Sequence, residues 1–113
     1  MRIERFRELM REAGVEEIVE DALRVYRSES PGRIGRIRDA LDRADTRSVE
    51  AEVHALRSAS LNIWAVDLAE YLDQAENAAV SGDIERARAL MEPITTEFAQ
   101  VMAFLDGELG EVS

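Results

Sequence analysis

Apolar residues recur three and four positions apart along nearly the whole chain, which is the spacing of an α-helix. No segment shows the strict alternation of apolar and polar residues that is typical of β-strands. Only two prolines and six glycines interrupt the pattern. The sequence therefore predicts an all-α protein. The predicted helices cover about Ile3–Ala13, Val15–Arg27, Arg33–Ala44, Arg47–Ile63, Val66–Val80 and Ile84–Leu105.

Helix-breaking and helix-capping residues predict where these segments begin and end. Gly14 separates the first two helices, and Ser28–Gly32 predicts a break after the second, because Pro and Gly both stop helices. Either Asp45 or Thr46 is suited to cap the fourth helix. Gly82–Asp83 ends the fifth helix and caps the sixth, in which Pro93 predicts a kink.

The last four segments are amphipathic and most of the links between them are short. Short links favour antiparallel neighbours, so the sequence predicts an up-and-down four-helix bundle, with the N-terminal helices covering one end or side. We expect one domain over residues 1–113, with a core from about 6 to 105 and a frayed tail over 106–113. In the second helix the predicted core residues are Ile18, Ala22, Val25 and Tyr26.

Composition narrows the function classes. The 113-residue chain has 24 acidic and 14 basic side chains, a net charge of −10 and no cysteine, and all its basic residues are arginine. An acidic surface disfavours nucleic acids and anionic membranes. The N-terminus lacks a signal peptide's apolar stretch, and no run of about 18 apolar residues is present, so we expect a cytoplasmic protein. One histidine without cysteine argues against a metal site, and no glycine-rich loop is present to hold ATP phosphates.

The only histidine, His54, lies in the fourth predicted helix, and helical geometry indicates which way it points. At about 100° per residue, five residues share one direction to within roughly 40°. They are Val49, Val53, Leu56, Ser60 and Ile63. These residues define the core face, and His54 lies roughly 140° away from it. A lone histidine is most often an ordinary surface or core residue, but burial is here the poorer explanation, and we expect the imidazole to face solvent.

Residues three and four positions from His54 share its face of the helix. Arg57 offers a fork of N–H donors to an anionic group, which suits a histidine that accepts and returns phosphate. Small residues near this face leave room for a partner: Ala51, Ala55 and Ser58. The alternatives are that Arg57 is a solvated cation that pairs with Glu50 or Glu52, and that the alanines reflect helix propensity.

The stretch His54–Ala65 resembles the signature of histidine-containing phosphotransfer (HPt) domains, which reads roughly H-x-L-K-G-x-[SA]-x-x-[LIV]-G-A. The direct matches are His54, Leu56, Ser60, Ile63 and Ala65. Leu68 falls where the downstream leucine belongs, and Glu76 falls at the acidic or amide position of the next helix. The resemblance extends from about Phe6 to Leu105.

Three positions depart from the family pattern. Arg57 replaces a lysine and keeps the charge. Ser58 replaces a glycine that lets the partner approach closely, and serine is the next-smallest polar residue. Trp64 replaces the second glycine, near the end of the helix, and is the largest departure. These changes bear on the identity of the partner more than on the chemistry.

The resemblance implies a phosphorelay protein. His54 would take a phosphoryl group from an aspartate of a response-regulator receiver domain, free or within a hybrid histidine kinase, and pass it to another receiver. Arg57 would stabilise the phosphate, and Glu76 would accept the imidazole Nδ1–H, although on its own it reads equally well as a solvated glutamate. The expected docking residues are Glu50, Ala51, Ala55, Ser58 and Leu61.

The same resemblance implies a stoichiometric carrier rather than an enzyme. The receiver domain would supply Mg²⁺, so we expect the chain to need no cofactor of its own and to be a monomer. The alternative function is a helical interaction module that binds a receiver domain or a kinase without carrying phosphate.

Overall fold

The computed structural model describes residues 2–110, which form five α-helices. They are α1 (Arg2–Glu12), α2 (Glu16–Asp42), α3 (Thr46–Asn62), α4 (Val66–Val80) and α5 (Ile84–Leu109). Helices α2 to α5 pack in chain order as a closed ring, in which α5 returns to contact α2. This arrangement confirms the predicted all-α bundle with one additional N-terminal helix. None of these five helices combines the length and the apolar character that a membrane span requires.

The four turns between the helices repeat one geometry. In each, a residue just beyond the helix adopts a positive φ, and the next N–H reaches back to a carbonyl five residues earlier. The residues with positive φ are Gly14 (78°), Ala44 (52°), Trp64 (63°) and Gly82 (76°). Glycine adopts this conformation freely, whereas a side chain makes it unfavourable by roughly 1–2 kcal/mol. Ala44 and Trp64 therefore hold the same turn under strain.

Two aspartates cap helices at the positions that the sequence predicts. Asp45 precedes α3, and its carboxylate accepts hydrogen bonds from the backbone N–H (3.2 Å) and the hydroxyl (2.7 Å) of Ser48. These bonds hold the pKa of Asp45 below its ordinary value, because they favour the ionised carboxylate. Asp83 precedes α5 and accepts from the backbone N–H of Arg86 at 3.1 Å. Both caps satisfy N–H groups that a helix leaves free at its start.

The predicted break at Ser28–Gly32 is wrong, because α2 continues through Pro31 to Asp42. Proline in a helix interior removes a backbone hydrogen bond and costs about 3 kcal/mol. Tertiary packing offsets this cost, because one buried stripe runs in phase along the whole helix. Its members, three or four residues apart, are Val19, Leu23, Tyr26, Ser30, Ile34, Ile37 and Leu41.

The same stripe corrects the predicted core residues of α2. Ile18 and Val25 are 70% and 55% exposed, and Ala22 is exposed as well, whereas Tyr26 is buried as predicted. In a short helix, Ile18, Ala22 and Val25 would make an acceptable apolar face. The 27-residue α2 must keep a single face toward its neighbours. Val19 and Leu23 belong to that face, which lies about 100° from the one predicted.

The C-terminal helix α5 ends at Leu109 rather than at Leu105, so the predicted frayed tail is helical over its first four residues. Arg27 of α2 binds this end: its guanidinium lies 3.5 Å from the Asp106 carboxylate and donates to the Gly110 carbonyl at 3.2 Å. Residues 111–113 of the predicted tail lie outside the described residues. The kink at Pro93 and the assignment of a single domain stay predictions.

Helix α1 packs across the end of the bundle where α3 meets α4. Ile3 is fully buried in the core, and the ring of Phe6 lies 5.5 Å from that of Trp64. Arg7 is only 5% exposed and donates to the carboxylate of Glu20 on α2 at 2.8 Å. A buried isoleucine, an aromatic pair and ion pairs from Arg7 and Arg11 to glutamates of α2 thus tie α1 to the rest of the chain.

Candidate functional site

The two faces of α3 are placed as the helical angles predict. All five residues of the predicted core face are buried: Val49, Val53, Leu56, Ser60 and Ile63. The side chain of His54 points away from them and is 55% exposed. The expected solvent-facing orientation of the imidazole is therefore present in the structure.

Helix α4 supplies the partner of the imidazole. Its buried stripe includes Leu68, Leu72, Ala75 and Ala79. Glu76 follows Ala75 and so lies at the edge of that stripe, where α4 faces α3. One oxygen, Oε2, is 2.9 Å from Nδ1 of His54, and the other, Oε1, accepts from Nε of Arg57 at 2.9 Å. The Glu76 side chain is 17% exposed, so these bonds form largely out of bulk water.

The contacts around Nδ1 indicate which tautomer the ring adopts. Nδ1 lies 2.9 Å from the Glu76 carboxylate and 3.4 Å from Nη2 of Arg57, and it cannot donate to one and accept from the other at once. An ionised carboxylate is only an acceptor, and the shorter, charge-assisted bond is the stronger one. Nδ1 therefore carries the proton. Within residues 2–110 no side chain bonds Nε2 of His54, which leaves its lone pair directed outward in the neutral ring.

Arg57 lies between the imidazole and α4. It donates to Glu76 and its Nη1 is 3.9 Å from the carboxylate of Asp73. The structure pairs Arg57 with these two carboxylates of α4 and not with Glu50 or Glu52, as the alternative had it. Glu52 accepts instead from Arg36 of α2 at 3.1 Å, on the opposite flank of α3. Arg57 therefore lies on the Nδ1 side of the ring, where its bond to Glu76 holds that carboxylate in place.

The predicted docking residues extend along the same side of α3. Ala51 and Ser58 are exposed, Glu50 and Ala55 are half-buried, and Leu61 is 44% exposed. Three of these residues, Ala51, Ala55 and Ser58, have small side chains. Within the described range, no group of three or more His, Asp or Glu side chains is arranged to hold a metal ion.

One hydrogen bond beneath the site did not emerge from the sequence. The hydroxyls of Tyr26 and Ser60 lie 2.8 Å apart in the core between α2 and α3. Burial raises the pKa of Tyr26, while hydrogen bonds with Ser60 and Ser30 act in the opposite direction. A serine on an otherwise apolar stripe was the available signal, because a buried hydroxyl needs a partner.

Comparison with known proteins agrees with this arrangement. The family model described as "Hpt domain" matches residues 21–107, which is more than half of the chain. The match begins within α2 and ends within α5, so it includes His54, Arg57 and Glu76 but not α1. No curated protein and no solved structure matches the chain significantly.

Proposed function

The chain belongs to the Hpt domain family, the histidine phosphotransfer modules of two-component signalling, and from this premise we propose that it carries its phosphoryl group on His54. The observation that carries the proposal is the bond between Nδ1 of His54 and Glu76. It leaves Nε2 of the only histidine outward and unprotonated, on a face flanked by small residues.

The chemistry is a reversible transfer between a carboxylate and an imidazole. The Nε2 lone pair attacks the phosphorus of an aspartyl phosphate, a bond forms between nitrogen and phosphorus, and the bond between phosphorus and the aspartate oxygen breaks. No proton moves, because Nδ1 already carries one. The ring becomes positively charged, and the carboxylate of Glu76 stabilises that charge through the Nδ1–H bond. Return of the phosphoryl group to another aspartate reverses each change.

Arg57 acts in this scheme as a positioning residue. Its Nε bond to Oε1 of Glu76 leaves the second oxygen of that carboxylate aimed at the ring. Its Nη2 lies 3.4 Å from Nδ1, on the side of the ring away from Nε2, so the stabilisation of phosphate by Arg57 stays a prediction.

The proposal includes the partners. Receiver domains of response regulators or of hybrid kinases donate and accept the phosphoryl group, and they hold the Mg²⁺. The chain is a monomeric, cytoplasmic carrier that needs no cofactor of its own. Its docking face surrounds the ring and consists of Glu50, Ala51, Ala55, Ser58 and Leu61.

The direct test is transfer of labelled phosphate from a phosphorylated receiver domain to the protein. We expect an acid-labile phosphohistidine that disappears in His54→Gln. Label that persists in this variant would contradict the proposal. Receiver binding that is unchanged by His54→Ala, with no label transferred by any receiver of the host, would instead favour the interaction module without phosphotransfer.

A further inference from the structure

An apolar surface lies at the C-terminal end of the helix face that bears His54. Five residues line one shallow depression between α1 and the turn from α3 to α4, and we refer to them as the Trp64 surface. They are Arg2, Arg5, Leu61, Trp64 and Val66. Leu61 and Trp64 are 44% and 38% exposed. Among residues 2–110, no carboxylate lines this depression.

The surface is continuous with the site of the proposed phosphotransfer. His54, Ser58 and Leu61 are spaced four and three residues apart and so follow one line along α3. Leu61 is about 10 Å from His54 along the helix axis, and Trp64 lies in the turn after α3, which ends at Asn62. A typical interface buries about 800 Å² on each partner, which corresponds to a disc of about 16 Å radius. A domain docked with its aspartate at His54 therefore reaches the Trp64 surface.

The backbone at Trp64 indicates that the ring is more than a turn residue. Its φ of 63° is a conformation for which glycine is the unstrained choice, and the equivalent turn at Gly82 uses it. The tryptophan ring packs against Phe6 of α1 with an angle of 42° between the rings. This contact brings α1 and its arginines beside the docking face.

The charge of α1 at this surface differs from that of the whole chain. The protein has a net charge of −10, yet Arg2 and Arg5 form the rim of the depression. Arg5 also bonds to Glu8 at 3.3 Å, but both side chains are about 60% exposed, and exposed pairs of this kind contribute little. The guanidinium of Arg5 is therefore available to a partner carboxylate.

We propose that the Trp64 surface is a second contact for the receiver domain docked at His54, and that it selects receivers presenting an apolar side chain flanked by carboxylates. The proposal rests on the proposed function and extends the docking face beyond Leu61 onto α1. An apolar centre with a charged rim favours the right partner in two ways: the ring provides desolvated contact, and the arginines accelerate association and repel basic surfaces.

The test compares two charge reversals of equal size. Arg5→Glu and Arg86→Glu each replace an exposed arginine in the first turn of a helix, but Arg86 lies on α5 at the opposite end of the bundle. Each protein is phosphorylated at His54 with phosphoramidate, and transfer to every receiver domain of the host is timed. We consider the receivers to which the wild-type protein transfers phosphate fastest. For these, we expect Arg5→Glu to raise KM about tenfold with kcat unchanged. Arg86→Glu should change KM less than twofold.

The outcomes separate the two proposals. If wild type transfers to receivers and Arg5→Glu behaves like Arg86→Glu, the proposed function stands and the Trp64 surface is not a receiver contact. If no receiver exchanges phosphate with wild type, both proposals are overturned. Sedimentation provides the remaining check, because a wild-type dimer that Arg5→Glu dissociates would assign the surface to a second copy of the chain. A parallel variant, Leu61→Gln, is expected to raise KM for the same receivers.

Discussion

Two parts of the molecule, the face of α3 around His54 and the turn after α3 at Trp64, are held in place by different physical means. Around His54 the carboxylate of Glu76 accepts charge-assisted hydrogen bonds from Nδ1 of His54 and from Nε of Arg57, at the edge of solvent. In the turn, Trp64 is held by contact with Phe6 on α1, on a backbone with positive φ. The first part orients one ring, and the second attaches a helix.

The difference predicts which kinds of substitution should disturb the imidazole. A transferring nitrogen needs one tautomer and one orientation, and directional bonds between two helices of the bundle provide both while leaving the ring exposed. Contact between apolar rings is less directional, and Trp64 touches α1 rather than His54. The departure from the family pattern at Trp64 therefore leaves the bonds of the imidazole intact, and under our proposal it changes what docks beside the site.

The largest effect is expected for Glu76→Ala, which removes the charge-assisted bond to Nδ1. Such a bond contributes about 1.5–3 kcal/mol, so phosphotransfer should slow by about 10- to 100-fold while the helical content stays unchanged. Arg57→Ala should cause a smaller loss, because Glu76 can still reach the ring. Asp73→Ala is the matched control, since this 56% exposed carboxylate lies on α4 without contacting His54. Equal losses for Asp73 and Glu76 would show that general charge, not orientation, is what matters.

A smaller effect, on the free energy of unfolding, is expected when glycine replaces Ala44 or Trp64, and it should have opposite signs at the two positions. Ala44→Gly relieves the positive φ without removing a contact, and should raise the free energy of unfolding by about 1 kcal/mol. Trp64→Gly relieves the same strain but removes the ring that holds Phe6, and should lower it by about 1–2 kcal/mol. Chemical denaturation measures both changes. Faster amide exchange in α1 should accompany the second variant alone, and stabilisation by both would mean that the ring does not hold α1.

The smallest effect concerns Asp45, whose folded-state pKa is lowered by Ser48. A lowered folded pKa contributes stability above the unfolded value of about 3.9, and that contribution is lost as pH falls through the folded value. Asn is also a good helix cap, so Asp45→Asn should have the same Tm as wild type at neutral pH. Its Tm should fall less than that of wild type between neutral pH and about pH 3. Parallel loss of Tm in both proteins would show that this cap does not contribute to the acid sensitivity.

Much of the site was predictable because it depends on one helix. The 3.6-residue period placed the buried face of α3 and pointed His54 outward, and both agree with the structure. The turns at Gly14 and Gly82 were visible for a similar reason, since glycine marks positive φ. The turns at Ala44 and Trp64 carry no such mark, and only the backbone reveals that they share the same geometry.

Two wrong predictions concern α2, whose extent and buried face depend on its packing against other helices. Pro31 is a sound stop signal by itself, and Ile18 with Val25 is a sound apolar face for a short helix. The bundle overrides both, because packing against α3 and α5 requires one continuous face along α2. The in-phase spacing of Leu23, Tyr26 and Ser30 across the proline was the available signal.

The sequence by itself determined the helical character, the outward direction of His54 and the family pattern that includes Glu76, because these follow from local period and residue type. The tertiary structure alone decided that Glu76 reaches Nδ1 and Arg57 at once, that α2 passes through Pro31, and that α1 lies against Trp64. These facts depend on distances between helices. Such distances are determined by the packing of the whole core, in which each buried face constrains the others.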